Sequence, residues 1–485
     1  MSINSKKLMN VSLVYAAGQI LIQAINFLLL PIYTNNLGVI EYGKISTITA
    51  FTGFISSFLI LSIYSGLSRF YKEENDKNKI VNTTLNFAYI MSGVMLILVV
   101  LLGRTFSNII FDFEGSYKIL CIIVITSILG QILSIYTCKY SMEYKALKVC
   151  IIQVSQISLQ FIIIIYLILV MKIGLMGVLY GQLIATAFMF LILTLKELKN
   201  YKFEIDKLLL NNMMTFSLGL LPVNIAGWIL TLSDRYFIKH YNGFSDTGVY
   251  NLGYQFGMLI NPLFITPFLN SFTAYKFEIY KHSDAKEKFK GLFRKYNVIG
   301  CFIMLEIAIY SKFGIVVFAN KDFANAYKVV PLILYSYFLY GKTGYYALGF
   351  QIQNKTYKIG IYMGYAAVLN IILNFFLVPK WGMIGAAIAT IVSYYLLNLI
   401  FMRSSDKYYK IDLDIIYQLK VQLVTFSLYG IYYLISLKNI GLIKEFIINI
   451  FIMISYMLIL IKIECIDKNF IFNNTVGVLK KKFKK

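Results

Sequence analysis

An all-α, polytopic membrane protein of about fourteen transmembrane helices is the fold class this sequence predicts, on three observations. The 485 residues are 59% hydrophobic and only 14% charged, where a soluble globular chain is about a quarter charged. Apolar residues fall in long runs, such as FIIIIYLILVM (161–171) and FIINIFIMISYMLILI (446–461), with no alternating polar face. Lysines and arginines collect in alternate connections between those runs, as topology signals do.

A spanning helix needs about 20 mostly apolar residues. Such stretches occur at 12–34, 44–70, 83–103, 116–138, 149–171, 174–195, 212–238, 247–273, 296–318, 327–351, 359–379, 382–402, 416–437 and 443–462. MSINSKKLMN runs straight into the first of them, so that helix is expected to stay as an anchor rather than be cleaved. An even number of spans puts both termini on one side. Most of the 46 Lys and Arg fall there too, including Lys276, Lys281, Lys286, Lys288, Lys290, Arg294 and Lys295 of the longest loop and the LKKKFKK tail. That side is therefore expected to be cytoplasmic. The outer connections, such as Lys380-Trp381 and Asn242 to Asp246, are short.

The net charge of +23 would suggest nucleic acid in a soluble protein. Here the basic residues sit between spans and suit anionic lipid heads, so no nucleic-acid partner is expected. Cys121, Cys138, Cys150, Cys301 and Cys465 form no CxxC pair, and His240 and His282 are the only histidines. Neither a disulfide framework nor a metal site is expected. Gly341-Lys342-Thr343 resembles the end of a phosphate loop, but Ser336 stands where the glycine should be and the segment lies inside a span. No cofactor and no catalytic set is expected.

Two short motifs recur at an offset of about 205–210 residues. LGVIEYG (37–43) matches NGFSDTG (242–248), pairing Gly38 with Gly243, Glu41 with Asp246 and Gly43 with Gly248. KIGLMG (172–177) matches KWGMIG (380–385), pairing Gly174 with Gly382 and Gly177 with Gly385. The expected organisation is therefore an N-terminal lobe at 1–198, a cytoplasmic linker at 199–211, a second six-helix lobe at 212–403, and two appended helices with a basic tail at 404–485. Six spans per copy gives both copies one orientation, related by an axis along the membrane normal.

Polar residues inside spans mark candidate function. Gln19, Gln23 and Asn26 form one stripe at helical spacing. Adding 205 gives Asn224, Trp228 and Thr231, and Arg235 extends that stripe by a turn. Such a face suits a cavity or a hydrogen-bonded neighbour, and the amides leave both open. Arg69 either points into a cavity or snorkels to the head groups. Asp234, Arg235 and Lys342 are candidate cavity charges, and Asn251 and Gln255 are candidate cavity walls, as are Gln153, Gln156, Gln160, Asn370 and Asn374. Glu306, mid-span, is either a proton- or cation-coupling carboxylate or the partner of a basic residue.

The segments LPIYTNNLGVIEYGKIS (30–46), GLSRFYKEE (66–74), GLLPVNIAGWILTLSDRYFIKHYNGFSDTGVYNLGYQFG (219–257) and LNFFLVPKWGMIGAAIATIVSYY (373–395) strongly resemble the polysaccharide biosynthesis flippases. These are Wzx-like repeat-unit flippases of the multidrug, oligosaccharidyl-lipid and polysaccharide exporter superfamily. The resemblance runs from the first span to about the twelfth. It implies two six-helix lobes around a central cavity. It also implies an undecaprenyl-diphosphate-linked oligosaccharide as substrate, for O-antigen, capsule or another surface glycan. The setting would be a bacterial cytoplasmic membrane, with H+ or Na+ as coupling ion and other polysaccharide assembly proteins as partners. The alternatives are a multidrug or organic-cation exporter, favoured by Glu306 and Asp234, and a membrane polymerase or sugar transferase, disfavoured by the short outer loops.

Overall fold

The computed structural model describes residues 5–438 and 441–463. Cys465 and the basic tail fall outside the described residues. In chain order the helices begin with α1 (Ser5–Asn36), α2 (Gly38–Leu59), α3 (Ile63–Phe70), α4 (Lys77–Phe111) and α5 (Ser116–Met142). They continue with α6 (Ala146–Ile165), α7 (Gly174–Glu197), α8 (Lys207–Leu232), α9 (Asp234–Met258) and α10 (Thr266–Ile279). The remainder are α11 (Ala285–Phe318), α12 (Val330–Tyr346), α13 (Leu348–Ile352), α14 (Tyr357–Ser405), α15 (Ile415–Ser436) and α16 (Leu442–Lys462).

The expected number of crossings follows from these lengths. Among the described residues nine helices are long and apolar enough to cross a membrane, or ten with α2 and α3 taken as one span bent by 53°. α14 has 49 residues, over twice what a ~30 Å hydrocarbon core needs at ~1.5 Å per residue. It breaks at Gly382, φ 52°, and so holds two crossings. The run Lys207–Ile279 breaks at Ser233 and again at Gly243, φ 86°, with the same result. α12 with α13, and α15, are long enough to span but are diluted by Lys342, Gln351, Gln418, Lys420 and Gln422. The protein is thus an all-helical, multi-pass membrane protein, and the fourteen spans read from the sequence each find a helix or a pair of helices.

Local chemistry sets the breaks. Leu61 and Ser62 adopt left-handed φ values of 49° and 57° between α2 and α3. Pro262 opens a π-helical turn at Asn261–Ile265, and Pro267 stands in the first turn of α10. The eighth span is therefore interrupted where its prolines remove backbone donors. Carboxylates cap the helices that follow polar loops. Asp76 accepts from the Asn78 and Lys79 amides at 2.9 and 3.2 Å, Asp206 from Leu209 at 2.8 Å, and Asp414 from Tyr417 at 3.1 Å.

The chain packs as two compact units. One holds the chain up to Leu252 with Phe318–Phe323 and Gly360–Ser393. Its bounds differ from the halves that the repeat suggests. Within it α1 packs on α6, α5 on α4 and α7, and α8 on α2 and α3. The segment between α7 and α8 is pinned to α4: Asn86 Nδ2 donates to the carbonyls of Lys202 and Glu204 at 3.0 and 2.9 Å, and the Asp206 amide donates to Thr83 Oγ1 at 3.2 Å.

The other unit comprises Gly253–Val317, Ala324–Ile359 and the chain from Tyr394 onward. Its core is aromatic. Phe272 stacks on Tyr345 at 3.9 Å between centroids, with Phe289 and Phe293 buried around them. The absent side chain of Gly300 admits the rings of Phe264 and Phe338. α15 packs on α16, and Lys312 of α11 reaches Glu445 of α16 at 3.1 Å.

Candidate functional site

The DRYFI stretch opens α9, straight after the break at Ser233. The chain reverses at Gly243, so residues 16 positions on return beside it. Asp234 is fully buried. Its Oδ2 accepts from the Tyr250 hydroxyl at 2.6 Å and from Thr390 Oγ1 at 3.1 Å, and its Oδ1 accepts from Asn374 Nδ2 at 3.0 Å. Asn374 Nδ2 also reaches Asn370 Oδ1 at 3.0 Å, and Asn370 Nδ2 reaches Thr390 Oγ1 at 3.4 Å. The buried Asn374 Oδ1 has no hydrogen-bond partner. A buried carboxylate is thus held by two hydroxyl donors and one amide donor, all inside one compact unit. An ionisable carboxyl group inside a span suits proton or cation coupling.

Arg235, about 100° further round the helix, takes different partners. It is 3% exposed. Nη1 donates to the Thr231 carbonyl at 2.9 Å and Nη2 to Asn251 Oδ1 at 3.3 Å. Tyr42 of α2, also buried, lies against both Arg235 and Asn251. In this conformation the guanidinium is enclosed by protein, where the sequence suggested an open, watered face.

The remaining candidates divide. Asn224 Nδ2 donates to Ser62 Oγ at 3.1 Å, and Trp228 Nε1 donates to the Ala50 carbonyl at 2.8 Å with its ring 5.0 Å from Phe54. In this half of the stripe Trp228 thus bonds to α2, and Asn224 bonds to the break between α2 and α3. On α1, Gln19 and Asn26 are exposed and Gln23 is half-buried. Arg69 is exposed and pairs with Glu73 one turn on. In the other unit Glu306 stands exposed on α11, Gln255 is half-buried, and Lys342 is buried against α15 with Nζ 3.2 Å from Gln418 Oε1. Arg235 and Asp234 thus share a neighbourhood with Asn251, while Lys342 belongs to a different one. Tyr250 and Thr390 were not singled out from the sequence. The signal available was the carboxylate itself, since a buried Asp must find donors on neighbouring spans.

With this geometry in hand, comparison with known proteins is decisive on family. The family model described as "Polysaccharide biosynthesis protein" matches residues 8–272. The chain belongs to that family. Among curated proteins no sequence match is found. Among solved structures the chain is similar to "Lipid II flippase MurJ, inward closed conformation", with TM-score 0.73 and 16% identity over 94% of this chain and 99% of that one. It is also similar to an inward-facing multidrug resistance MATE family transporter of the MOP superfamily, with TM-score 0.63 and 14% identity over 80% and 96%. A further match is a MOP superfamily transporter from Pyrococcus furiosus, with TM-score 0.59 and 13% identity over 83% and 95%. At these identities the structural likeness establishes the fold, a flippase- and transporter-type helical bundle. The resemblance noted in the sequence is thereby established at the level of family and superfamily fold.

Proposed function

We propose that this polysaccharide biosynthesis protein is a flippase. It carries undecaprenyl-diphosphate-linked oligosaccharide repeat units across a bacterial cytoplasmic membrane, with both termini cytoplasmic. The observation that carries the reading is the pairing of its family with a fold shared along 94% of the chain with a protein titled as a lipid II flippase.

The organisation expected from the repeat, lobes at 1–198 and 212–403 with 404–485 appended, supports alternating access by rocking of one lobe against the other. All four glycines paired as Gly38 with Gly243 and Gly174 with Gly382 hold left-handed φ values, of 74°, 86°, 55° and 52°. A repeat of turn geometry is more demanding than a repeat of letters, because only glycine adopts such φ freely. Gln19, Gln23 and Asn26 on α1 and Arg69 on α3 are among the polar groups of this set left accessible, and they would meet sugar and diphosphate.

Asp234 is a better seat for H+ or Na+ than Glu306. Its carboxylate is buried and held by three hydrogen-bond donors, whereas Glu306 is exposed. Neutralising Asp234 would loosen its hold on Tyr250, Asn374 and Thr390, which lie on separate helical segments. A coupling ion acts through such a differential contact. The multidrug exporter remains a second reading, because the MATE family transporters share the fold and a buried carboxylate suits cation coupling.

The test is reconstitution into liposomes with a fluorescent polyprenyl-diphosphate oligosaccharide and a quencher outside. Protein-dependent loss of protected fluorescence is expected, abolished in Asp234→Asn and not competed by organic cations. Transport of an organic cation with no movement of the lipid-linked sugar would replace this reading with the exporter.

A further inference from the structure

A cavity of about 140 Å3 opens between α12, the end of α14 and the start of α15. At ~30 Å3 per water it has room for several waters or for one phosphate group. Lys342 stands at its floor, 3% exposed. Its Nζ donates to Gln418 Oε1 at 3.2 Å and lies 4.7 Å from the centre of the Phe338 ring. None of the ion pairs among the described residues includes Lys342. A buried ammonium is costly without an anion, and an amide oxygen and a ring face offset only part of its charge.

The lining is built to donate. Lysine carries only donors, so it fixes the Gln418 amide with its oxygen toward Nζ. Gln418 is 6% exposed, and its Nε2 has no partner. The Tyr346 hydroxyl lies 3.5 Å from the same Gln418 oxygen, and Tyr335 donates to Gln422 Oε1 at 3.1 Å. An unpaired amide donor and spare ammonium hydrogens around one small space suit a tetrahedral oxyanion.

The depth and the mouth indicate where that anion comes from. Gln418 lies about one helical turn inside the start of α15, ~5 Å along the axis, and that start is reached from a polar connection holding Lys407 and Lys410. This is head-group depth. The mouth is apolar, with Ile415 and Leu419 more than half exposed. Basic pockets between spans near a membrane surface take phosphorylated lipid head groups.

We infer that the pocket at Lys342 and Gln418 binds the phosphate of a membrane lipid, entering sideways from the leaflet beside α15. The site is independent of the flippase reading and lies outside the neighbourhood of Arg235 and Asp234. Its ligand class is a phosphate ester on an acyl or polyprenyl chain, with the chain lying over Ile415 and Leu419.

Thermal unfolding of the full-length protein in a neutral maltoside detergent tests this. Added phosphatidylglycerol is expected to raise the unfolding temperature by several degrees, and a matched diacylglycerol is not. Gln418→Glu places a carboxylate beside Lys342. It should unfold at or above the wild-type temperature without lipid and show no response to phosphatidylglycerol. Lys342→Met should lose the response as well, and Gln418→Glu carries the test alone if Lys342→Met does not fold. An equal shift with diacylglycerol, or an undiminished response in Gln418→Glu, overturns the site. A full shift with inorganic phosphate alone overturns the lipid as its source.

Discussion

Gly43 of α2 and Gly248 of α9 approach each other backbone to backbone, and they do so reciprocally. A Cβ on Gly43 would strike the Phe244 carbonyl, and a Cβ on Gly248 would strike the Val39 carbonyl. The repeat pairs Gly43 with Gly248 and Val39 with Phe244, so each collision is the image of the other. This is the local signature of a two-fold relation between the two copies of the motif. Neither backbone can yield without moving a helix, so Gly43→Ala and Gly248→Ala should each destabilise the protein by about 1–3 kcal/mol. Gly219→Ala, where nothing stands within 4 Å of the added Cβ, should be neutral. Membrane-inserted yield and unfolding temperature of the three variants decide it. Equal behaviour of all three would remove the close approach from the fold.

The orientation proposed from charge makes opposite claims for two exposed positions. Asn242 sits beside the Gly243 reversal, and Lys286 sits in the first turn of α11. In a cysteine-free background, a membrane-impermeant maleimide added to intact cells should label Asn242→Cys and spare Lys286→Cys. The opposite pattern would invert the topology and place the Lys342 pocket in the other leaflet.

Asp206 joins the segment after α7 to two helices. It caps α8 and pairs with Lys79 at 2.5 Å. The Leu209 amide and then the Lys79 ammonium hold its carboxyl below the ordinary carboxylate range. A depressed folded-state value means the contribution is present above the unfolded value and is lost only as pH falls through the folded one. Trypsin cleavage at Lys199 and Lys202 should therefore be slow and constant between about pH 6 and pH 8. Asp206→Ala should speed it several-fold in that window. Unchanged cleavage would mean that the Asn86 and Thr83 contacts hold the segment unaided.

The spans were legible because long apolar runs need no partner to declare themselves. Their interruptions were only partly so. Pro262 and Pro267 stand where the eighth span is interrupted, but the left-handed pair Leu61-Ser62 carries no proline or glycine and depends on packing. The site was legible by residue and not by direction. Asp234 and Arg235 stood out as charges in a span, and their different partners follow from the roughly 100° between neighbours on a helix. That Arg235 is enclosed, that Trp228 bonds to α2 and that Asn224 bonds to Ser62 depends on tertiary neighbours that no periodicity reports. Lys342 was drawn to the same cavity by its charge, and the aromatic cluster around Tyr345 and Phe293 places it elsewhere.

Arg235 is the residue on which sequence and structure differ most usefully. Its stripe suggested a guanidinium lining a cavity. The structure has it holding the Thr231 carbonyl and the Asn251 side chain, which lie on either side of the Gly243 reversal. Hydrogen bonds to a buried charge contribute about 1.5–3 kcal/mol. Arg235→Ala should therefore lower both the unfolding temperature and the export of surface glycan. Arg235→Lys cannot reproduce two donors in one plane. If Arg235 is a positioning residue, the lysine variant should lose stability in step with transport. If it is released to meet substrate in another conformation, lysine should keep stability and lose substrate affinity, seen as a raised half-saturation in the liposome assay. Wild-type export and stability in Arg235→Ala would remove the residue from both roles.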